Sequence, residues 1–185
     1  FLKCISNIQK AADENEIEVI YCLLQKETRI KKEFFNCNTQ LKKIAIPSTI
    51  TSIEKASFSE CISLQKVTIP SSVTKIEADT FYGCSSLNEI SISPNATSIG
   101  TNAFCACCSL KKISIPSSVN LIENSAFYGC SLLKEITIPF SVVSINDNTF
   151  CMCSSLICIN IPLSVTKIGK NAFNGCSSLK NIFIP

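Results

Sequence analysis

The chain has 185 residues, of which 46% are hydrophobic, and its formal net charge is +3. So small a charge argues against a nucleic-acid-binding protein. No stretch approaches ~18 consecutive apolar residues, which excludes a membrane span in this sequence.

The N-terminal segment 1–40 differs from the rest of the chain. Apolar residues in the range 1–12 fall at helical spacing and predict a short amphipathic helix. Apart from Glu18, the range 17–24 is an apolar run with the length of a strand. Four residues lie one repeat length before apolar column positions of the first full unit: Tyr21, Leu23, Ile30 and Phe35. We therefore predict that the segment 1–40 forms an N-terminal cap with a short helix and a degenerate repeat, because terminal repeats are atypical where one face meets water.

From Leu41 onward, a 23-residue unit recurs without a slip in frame. Six full units begin at Leu41, Leu64, Leu87, Leu110, Leu133 and Leu156, and a seventh begins at Leu179 and stops at Pro185. A fixed period of this length is typical of a solenoid, in which each unit contacts mainly its neighbours. We predict that residues 41–185 form one elongated repeat domain. Because the chain begins without Met and ends inside a unit, we expect a fragment of a longer protein.

Each unit opens with Leu-x-x-Ile-x-Ile, whose alternation predicts a strand with one buried face. In register, these strands would stack in parallel about 4.8 Å apart. A proline ends the strand in every unit except the third, where Pro94 comes one residue late. A second apolar pair follows, and then a phenylalanine column that should stack along the axis: Phe58, Phe81, Phe104, Phe127, Phe150 and Phe173.

The chain contains 13 cysteines, but their placement favours neither a disulfide framework nor a metal site. Six share one column: Cys61, Cys84, Cys107, Cys130, Cys153 and Cys176. Parallel side chains in a ladder have the wrong relative orientation for disulfides, so we predict buried thiols that contact the turn backbone. Zinc sites usually contain C-x₂₋₄-C pairs and often histidine, so the clusters at 105–108 and 151–153 do not predict a metal.

The residues required for catalysis are missing from the sequence. The chain has no histidine, which excludes Ser-His and Cys-His nucleophiles. Its carboxylates form no recurring pair, and its five glycines form no phosphate-binding motif. We therefore predict that the chain is not an enzyme and holds no cofactor.

The pattern Leu-x-x-Ile-x-Ile-Pro-x-Ser-Val-Thr-x-Ile-x-x-x-Ala-Phe-x-x-Cys-Ser-Ser resembles the BspA-like, or Treponema-type, leucine-rich repeats over residues 41–185. The resemblance implies a right-handed solenoid with a parallel β-sheet on its concave side, mostly β and irregular structure, and little helix. It also implies a surface protein of bacteria or parasitic protists that adheres to host proteins and cells. The chain departs from the pattern where Tyr21 and Leu23 replace strand isoleucines and where Pro94 is displaced.

The solvent positions of the predicted strands carry seven lysines against two glutamates, a net charge of +5, whereas the rest of residues 41–185 carries −2. The candidate partner-binding residues on this concave face are Lys43, Lys66, Glu89, Lys112, Glu135, Asn160 and Phe183. A basic face would suit an acidic protein or a sulfated glycan. The alternative is that the lysines only keep the sheet soluble and its edges unpaired.

The sequence is compatible with three functions. The first is a protein-binding or adhesion module of a cell-surface or secreted protein, which recognises a host or extracellular protein or glycan; the location and the adhesion rest on the resemblance. The second is a cytoplasmic interaction scaffold, which the odd number of cysteines favours. The third is a regulatory repeat array of a larger protein. Secretion would make Asn95, in Asn95-Ala96-Thr97, a glycosylation acceptor, and the uncapped C-terminal edge could pair with another copy.

Overall fold

The computed structural model describes residues 7, 10, 11, 17–180 and 182. In chain order its elements are α1 (Ile17–Leu24), β1 (Arg29–Ile30), β2 (Lys43–Ala45), β3 (Ser52–Ile53), β4 (Lys66–Thr68), β5 (Lys75–Ile76), β6 (Glu89–Ser91), β7 (Ser98–Ile99), β8 (Leu121–Ile122), β9 (Glu135–Thr137), β10 (Ser144–Ile145), β11 (Cys158–Asn160) and β12 (Lys167–Ile168). Paired strands are parallel and lie one repeat unit apart in the sequence, which confirms the predicted solenoid.

The Leu-x-x-Ile-x-Ile segments form a first ladder, made of β2, β4, β6, β9 and β11. The middle residue of each strand is buried and its two neighbours are exposed, because successive side chains point to opposite faces of a sheet. Among the described residues, the fourth unit contributes only a single bridge, from Lys112 to Glu135. The ladder is therefore divided into a β2-β4-β6 sheet and a β9-β11 sheet.

A second ladder lines the next side of the coil and consists of β1, β3, β5, β7, β8, β10 and β12. Each strand has two residues, and its isoleucine points towards the core. Ile30 already pairs with Ile53, so this ladder begins before the first full unit. The second apolar column of the sequence thus lines a second side of the core.

The displaced proline of the third unit leaves the turn between the ladders intact. In the second unit, the Val73 N–H donates to the Pro70 carbonyl oxygen at 3.0 Å. In the third unit, the Ala96 N–H donates to the Ser93 carbonyl oxygen at the same distance of 3.0 Å. Pro94 therefore changes the side chains of this turn and not its closing hydrogen bond.

The third side of each turn contains two columns of residues with left-handed backbone conformation. The first column has φ between 54° and 57° and comprises Glu33, Ala56, Asp79, Asn102, Ser125, Asn148 and Asn171. The second has φ between 58° and 77° and comprises Cys37, Glu60, Gly83, Ala106, Gly129, Met152 and Gly175. Backbone N–H groups on this side donate to the following turn, as from Phe58 to the Thr80 oxygen at 3.0 Å. Turns are therefore bonded to one another on this side without regular strands.

From Glu60 onward, glycine alternates with larger residues in the second left-handed column, which gives this part of the third side a period of two units. A Cβ atom built on Gly83 would lie 2.7 Å from the Glu60 carboxyl carbon. One built on Gly175 would lie 2.6 Å from the Met152 sulfur. The longer side chains thus lie over the glycines of the following turn, where no side chain competes for the space.

The predicted phenylalanine stack is confirmed. Neighbouring rings from Phe35 to Phe173 have centroids 5.0–5.7 Å apart and are inclined by 5–12°. All of them except Phe173 are fully buried. Such ring pairs contribute about 0.5–1.5 kcal/mol beyond area burial, so the stack joins every turn of the core to the next.

The cysteine ladder is confirmed as a row of free thiols hydrogen-bonded to backbone. The Cys107 thiol donates to the Phe81 carbonyl oxygen at 3.2 Å, and the Cys130 thiol donates to the Phe104 oxygen at 3.2 Å. Burial raises the pKa of both thiols well above the ordinary value. These cysteines therefore satisfy core carbonyl groups and stay protonated.

The sequence-based prediction of a strand over residues 17–24 is wrong, because Ile17–Leu24 forms the helix α1. Ile20 and Leu24 are buried, whereas Tyr21 is exposed, as the i, i+4 spacing of one helix face requires. A helix satisfies its own backbone groups, so it can cover the end of a ladder without presenting an open strand edge. The helix predicted over residues 1–12 lies mostly outside the described residues, and the domain boundary at residue 40 stays a prediction.

Candidate partner-binding face

We define the strand face as the exposed side chains on either side of the buried central residue in the first ladder. Its first row contains Lys43, Lys66, Glu89, Lys112, Glu135 and Cys158. Its second row contains Ala45, Thr68, Ser91, Ser114, Thr137 and Asn160. The parallel register places successive members of a row side by side at about 4.8 Å. The face therefore offers a charged row beside a row of small, mostly polar side chains.

Oppositely charged residues of the first row form ion pairs across neighbouring turns. Lys66 Nζ lies 2.5 Å from Glu89 Oε1, and Lys112 Nζ lies 2.8 Å from Glu135 Oε1. The hydrogen bond and charge of Glu135 raise the pKa of Lys112, and those of Lys112 lower the pKa of Glu135. All four side chains are about half exposed or more, so the pairs orient charges at the surface and contribute little to stability.

The ion pairs change the electrostatic interpretation of this face. Both glutamates of the predicted +5 surface neutralise a lysine directly beside them. Positive charge remains at exposed lysines of the neighbouring position, Lys111 and Lys134. The strand face therefore combines two ion pairs with one further lysine, Lys43, which lies beside Lys66, and with a basic margin, so it is not a uniformly basic surface.

A groove of about 350 Å³ lies on the C-terminal part of the strand face. The polar side chains that line it are Lys112, Ser114, Glu135, Thr137, Cys158 and Asn160. A second depression of about 420 Å³ lies beside it and is lined by Lys111, Lys134 and Ile157 as well. We call the first depression the strand groove. It contains one ion pair, two hydroxyls, an amide and a thiol, all able to contact a partner.

The predicted site residues fall into two groups. Lys43, Lys66 and Glu89 follow one another in the β2-β4-β6 sheet. Lys112, Glu135 and Asn160 line the strand groove. Phe183 lies outside the described residues.

Two groove features were missed from the sequence. Cys158 is exposed and pairs with Glu135 in register, but a single cysteine outside the ladder column does not by itself predict a contact residue. Its position, one repeat unit after Glu135, was the signal that could have identified it. Ser114 and Thr137 had no signal of their own, because small polar residues fill this row in most units.

Asn95 lies in the turn between the two ladders and not on the strand face. Its side chain is exposed, and its Nδ2 group donates to the Ser71 carbonyl oxygen at 2.9 Å. The hydroxyl of the third sequon residue, Thr97 Oγ1, donates to the Thr74 carbonyl oxygen at 3.1 Å. A glycan on Asn95 would therefore replace a side-chain hydrogen bond between turns, and its presence stays a prediction.

The side chains that line the strand groove are mainly polar or charged. Within the described residues, no group of three or more His, Cys, Asp or Glu side chains is placed to hold a metal ion. In the same part of the chain, no helix combines the length and apolarity needed to cross a bilayer. What the groove offers is a set of hydrogen-bonding and charged groups on a stable sheet.

Comparison with known proteins gives consistent results. A family model described as the BspA type leucine rich repeat region matches residues 15–132 and 97–185, in six copies. A leucine-rich repeat protein from T. pallidum has a similar structure, with a TM-score of 0.65, 26% identity, and coverage of 75% of this chain and 78% of that one. No curated protein matches the chain.

Two longer proteins are also similar in structure. A leucine-rich repeat protein from Bacteroides ovatus matches with a TM-score of 0.70 and 30% identity, over 85% of this chain and 47% of that one. A leucine rich cell surface protein from Faecalibacterium prausnitzii matches with a TM-score of 0.62 and 30% identity, over 78% of this chain and 37% of that one. This chain therefore spans less than half the length of these two proteins.

Proposed function

We propose that this chain, which belongs to the BspA-type leucine-rich repeat family, is a non-enzymatic protein-binding and adhesion module of a cell-surface or secreted protein. Its partner is a host or extracellular protein, and the contact is made by the strand face. The location is supported by the family and by the similar F. prausnitzii protein, which is described as a cell surface protein.

One observation carries the choice of surface. The residues that recur in every unit are buried in the core, including the leucines, isoleucines, phenylalanines and ladder cysteines. The strand face combines exposed, variable side chains with a regular ladder beneath them. Solenoids bind partners through extended surfaces of this kind, and a rigid sheet holds the contacting groups in place at low entropic cost.

The strand groove is the expected centre of the contact. It lies beside the remaining lysines, Lys111 and Lys134, so an acidic segment of the partner would meet positive charge at the margin. On binding, Lys112 and Glu135 would lose part of their interaction with each other and would contact polar groups of the partner instead. Such electrostatic matching contributes to specificity and association rate more than to affinity.

A charge-reversal experiment tests the proposal. The triple variant Lys43→Glu, Lys66→Glu, Lys112→Glu alters the strand face. The control variant Lys75→Glu, Lys167→Glu, Lys170→Glu makes the same change in net charge on exposed lysines elsewhere on the coil. Binding of each folded protein to matrix deposited by cultured epithelial cells is measured by biolayer interferometry. We expect the strand-face variant to lose binding and the control to keep it; equal binding by both variants, or no binding by the parent chain, would contradict the proposal.

An intracellular interaction scaffold is the second candidate, and the free thiols of the cysteine ladder favour it. Thiols persist in reducing compartments, whereas secreted proteins tend to form disulfides. Titration of thiols in natively produced protein, with and without reductant, separates the candidates. Stable disulfides or a glycan on Asn95 would eliminate the intracellular alternative.

A further inference from the structure

The third side of the coil contains a depression of about 230 Å³ that is separate from the strand face. Three successive turns each contribute one residue from the first left-handed column and one that follows three positions later. In chain order these residues are Glu33, Asn36, Ala56, Ser59, Asp79 and Tyr82. We call this depression the turn-side pocket. Its volume is below the roughly 300–1,000 Å³ of pockets that enclose drug-sized ligands, so it suits a single small ring.

The pocket exists because the middle turn carries small side chains between two turns with larger ones. Ala56 and Ser59 form its floor and are 8% and 9% exposed. The walls come from the turns on either side, which are about 10 Å apart by two ladder spacings. A backbone N–H of one wall is fixed to the middle turn, since Glu33 donates to the Lys55 carbonyl oxygen at 3.2 Å. The depression is thus built into the backbone and does not depend on loop mobility.

Both carboxylates of the pocket already have an ammonium partner. Lys55 Nζ lies 3.3 Å from Asp79 Oδ2, and Lys32 Nζ lies 3.3 Å from Glu33 Oε1. The other carboxylate oxygen of Asp79 accepts a hydrogen bond from Asn102 Nδ2 at 3.0 Å, which fixes its orientation. Lys55 lines the pocket, whereas Lys32 lies outside its lining. Because each carboxylate is already paired with one of these lysines, we expect the pocket to favour a neutral ligand. Its oxygens and nitrogens remain able to accept and donate hydrogen bonds.

Tyr82 supplies an aromatic surface at the edge of this polar set. Its side chain lines the pocket and is 37% exposed. The face of an aromatic ring carries partial negative charge and attracts weakly positive C–H groups. A pyranose ring has such C–H groups on one face and hydroxyls around its rim, which match the Asn36 amide and the Asp79 carboxylate. An aromatic wall beside neutralised carboxylate, amide and hydroxyl groups is the chemistry that recognises a neutral sugar.

We propose that the turn-side pocket is a carbohydrate-binding site that takes one neutral pyranose unit of a glycan. The sugar stacks on Tyr82 and exchanges hydrogen bonds with Asn36, Asp79 and Lys55. This site is independent of the strand face, so a chain attached to a protein partner keeps it accessible. The two surfaces together would allow a glycosylated partner to be held at two places.

The chain contains a matched control for Tyr82. Tyr128 occupies the same column two turns later and is also 37% exposed. In its neighbourhood, Cys105 stands in the place of Ser59, and Ser125 stands in the place of Asp79. Tyr128 therefore has the same backbone position as Tyr82 but no equivalent of the Lys55–Asp79 ion pair beside it, and we expect it to bind no sugar.

Saturation-transfer-difference NMR tests the site on the full chain. The probes are the methyl glycosides of glucose, galactose, mannose and N-acetylglucosamine. We expect saturation of ring protons in at least one glycoside, a loss of roughly tenfold in affinity in Tyr82→Ala, and retention in Tyr82→Phe and Tyr128→Ala, since a ring contact contributes up to about one decade in affinity. Asn36→Ala, at an exposed position, provides a second variant that leaves the core untouched.

Two results would overturn the proposal. One is the absence of saturation transfer to every glycoside together with no binding to a printed glycan array. The other is equal saturation in the parent and in Tyr82→Ala, once circular dichroism shows both to be folded. Binding of an unglycosylated peptide at Tyr82, with no saturation transfer to any glycoside, would assign the pocket to a protein partner and also contradict the proposal.

Discussion

Lys112 Nζ lies 2.8 Å from Glu135 Oε1 across two neighbouring turns of the first ladder. Residues one repeat unit apart stand side by side in this ladder, so the sequence spacing of the two charges determines their contact. The same relationship joins Lys66 to Glu89. Charges on the strand face are therefore matched along the axis of the solenoid, and this pairing is open to direct measurement.

Replacing Lys112 by Gln will raise the pKa of Glu135 towards its ordinary value, because the Lys112 hydrogen bond and charge now lower it. The contribution of the Glu135 carboxylate to the free energy of unfolding is fully present above the ordinary pKa of glutamate, and it is lost as the pH falls through the lowered pKa of Glu135 in the folded chain. The corresponding contribution of Lys112, whose pKa is raised, is lost as the pH rises through that raised pKa. Carboxyl-detected NMR titration measures the change, with Lys75→Gln as the control; an unchanged Glu135 pKa in Lys112→Gln would rule out the pair in solution.

Truncating Phe104 will remove one ring from the middle of the phenylalanine stack. Phe104 is fully buried, and its centroid lies 5.5 Å from that of Phe81 and 5.4 Å from that of Phe127. We expect Phe104→Ala to lower the free energy of unfolding by about 3–5 kcal/mol. Urea denaturation followed by circular dichroism gives the value. Phe140→Ala, at a site that is 71% exposed, should change it little, and equal effects of the two substitutions would refute the role of the stack.

Alkylation will distinguish ladder cysteines from exposed cysteines. Attack on iodoacetamide requires the thiolate, and burial raises the pKa of Cys61 and Cys153 to about 12. Cys22, Cys37, Cys108 and Cys158 are exposed. We expect these four to be modified within minutes at about pH 8, and the five buried ladder cysteines, a set that leaves out the half-buried Cys176, only after unfolding. Peptide mapping by mass spectrometry gives the rates; modification of Cys107 as fast as that of the neighbouring Cys108 would disprove the buried ladder.

Two glycines should respond differently to substitution by alanine. A Cβ atom on Gly100 would lie 2.7 Å from the Ala78 nitrogen and 3.0 Å from the Ile76 oxygen, and backbone atoms cannot move aside cheaply. We expect Gly100→Ala to destabilise the chain by about 1–3 kcal/mol.

Gly129 provides the comparison for Gly100. The nearest atom to its added Cβ would be 3.8 Å away, and Ala106 already adopts the same left-handed conformation in that column. Gly129→Ala should therefore cost only about 1 kcal/mol. Thermal unfolding of both variants measures the difference, and a larger loss in Gly129→Ala would contradict the close approach at Gly100.

The core of the solenoid could be predicted from the sequence because each of its columns repeats. Phe104 and Cys107 have equivalents in every full unit, and a side chain that recurs at a fixed position in a stacked coil must meet its own equivalents. The ion pair between Lys66 and Glu89 follows from the same arithmetic once the register is known. By contrast, the range 17–24 is apolar except for Glu18, and so short a run has no period that separates a strand from a helix.

The candidate sites could be predicted only in part. Asn160 was expected on the strand face because its column was recognised, whereas Cys158 was set apart by its residue type. The turn-side pocket was not predicted, because it depends on the small size of Ala56 and Ser59 between turns with larger side chains. Such a contrast between adjacent turns appears only when their side chains are placed next to one another in three dimensions.

Blocking the strand groove at Cys158 tests whether the strand face makes the contact with the partner. Cys158 lines the groove, whereas Cys37 lies in the second left-handed column, on a different side of the coil. Two proteins are prepared in which either Cys158 or Cys37 is the only exposed cysteine, with the other exposed cysteines and Cys4 changed to Ser. Each is labelled with a compact maleimide, and its binding to epithelial cell matrix is measured against the unlabelled form. We predict that the label on Cys158 abolishes binding and the label on Cys37 leaves it unchanged; full binding by the protein labelled at Cys158 would contradict recognition through the strand face.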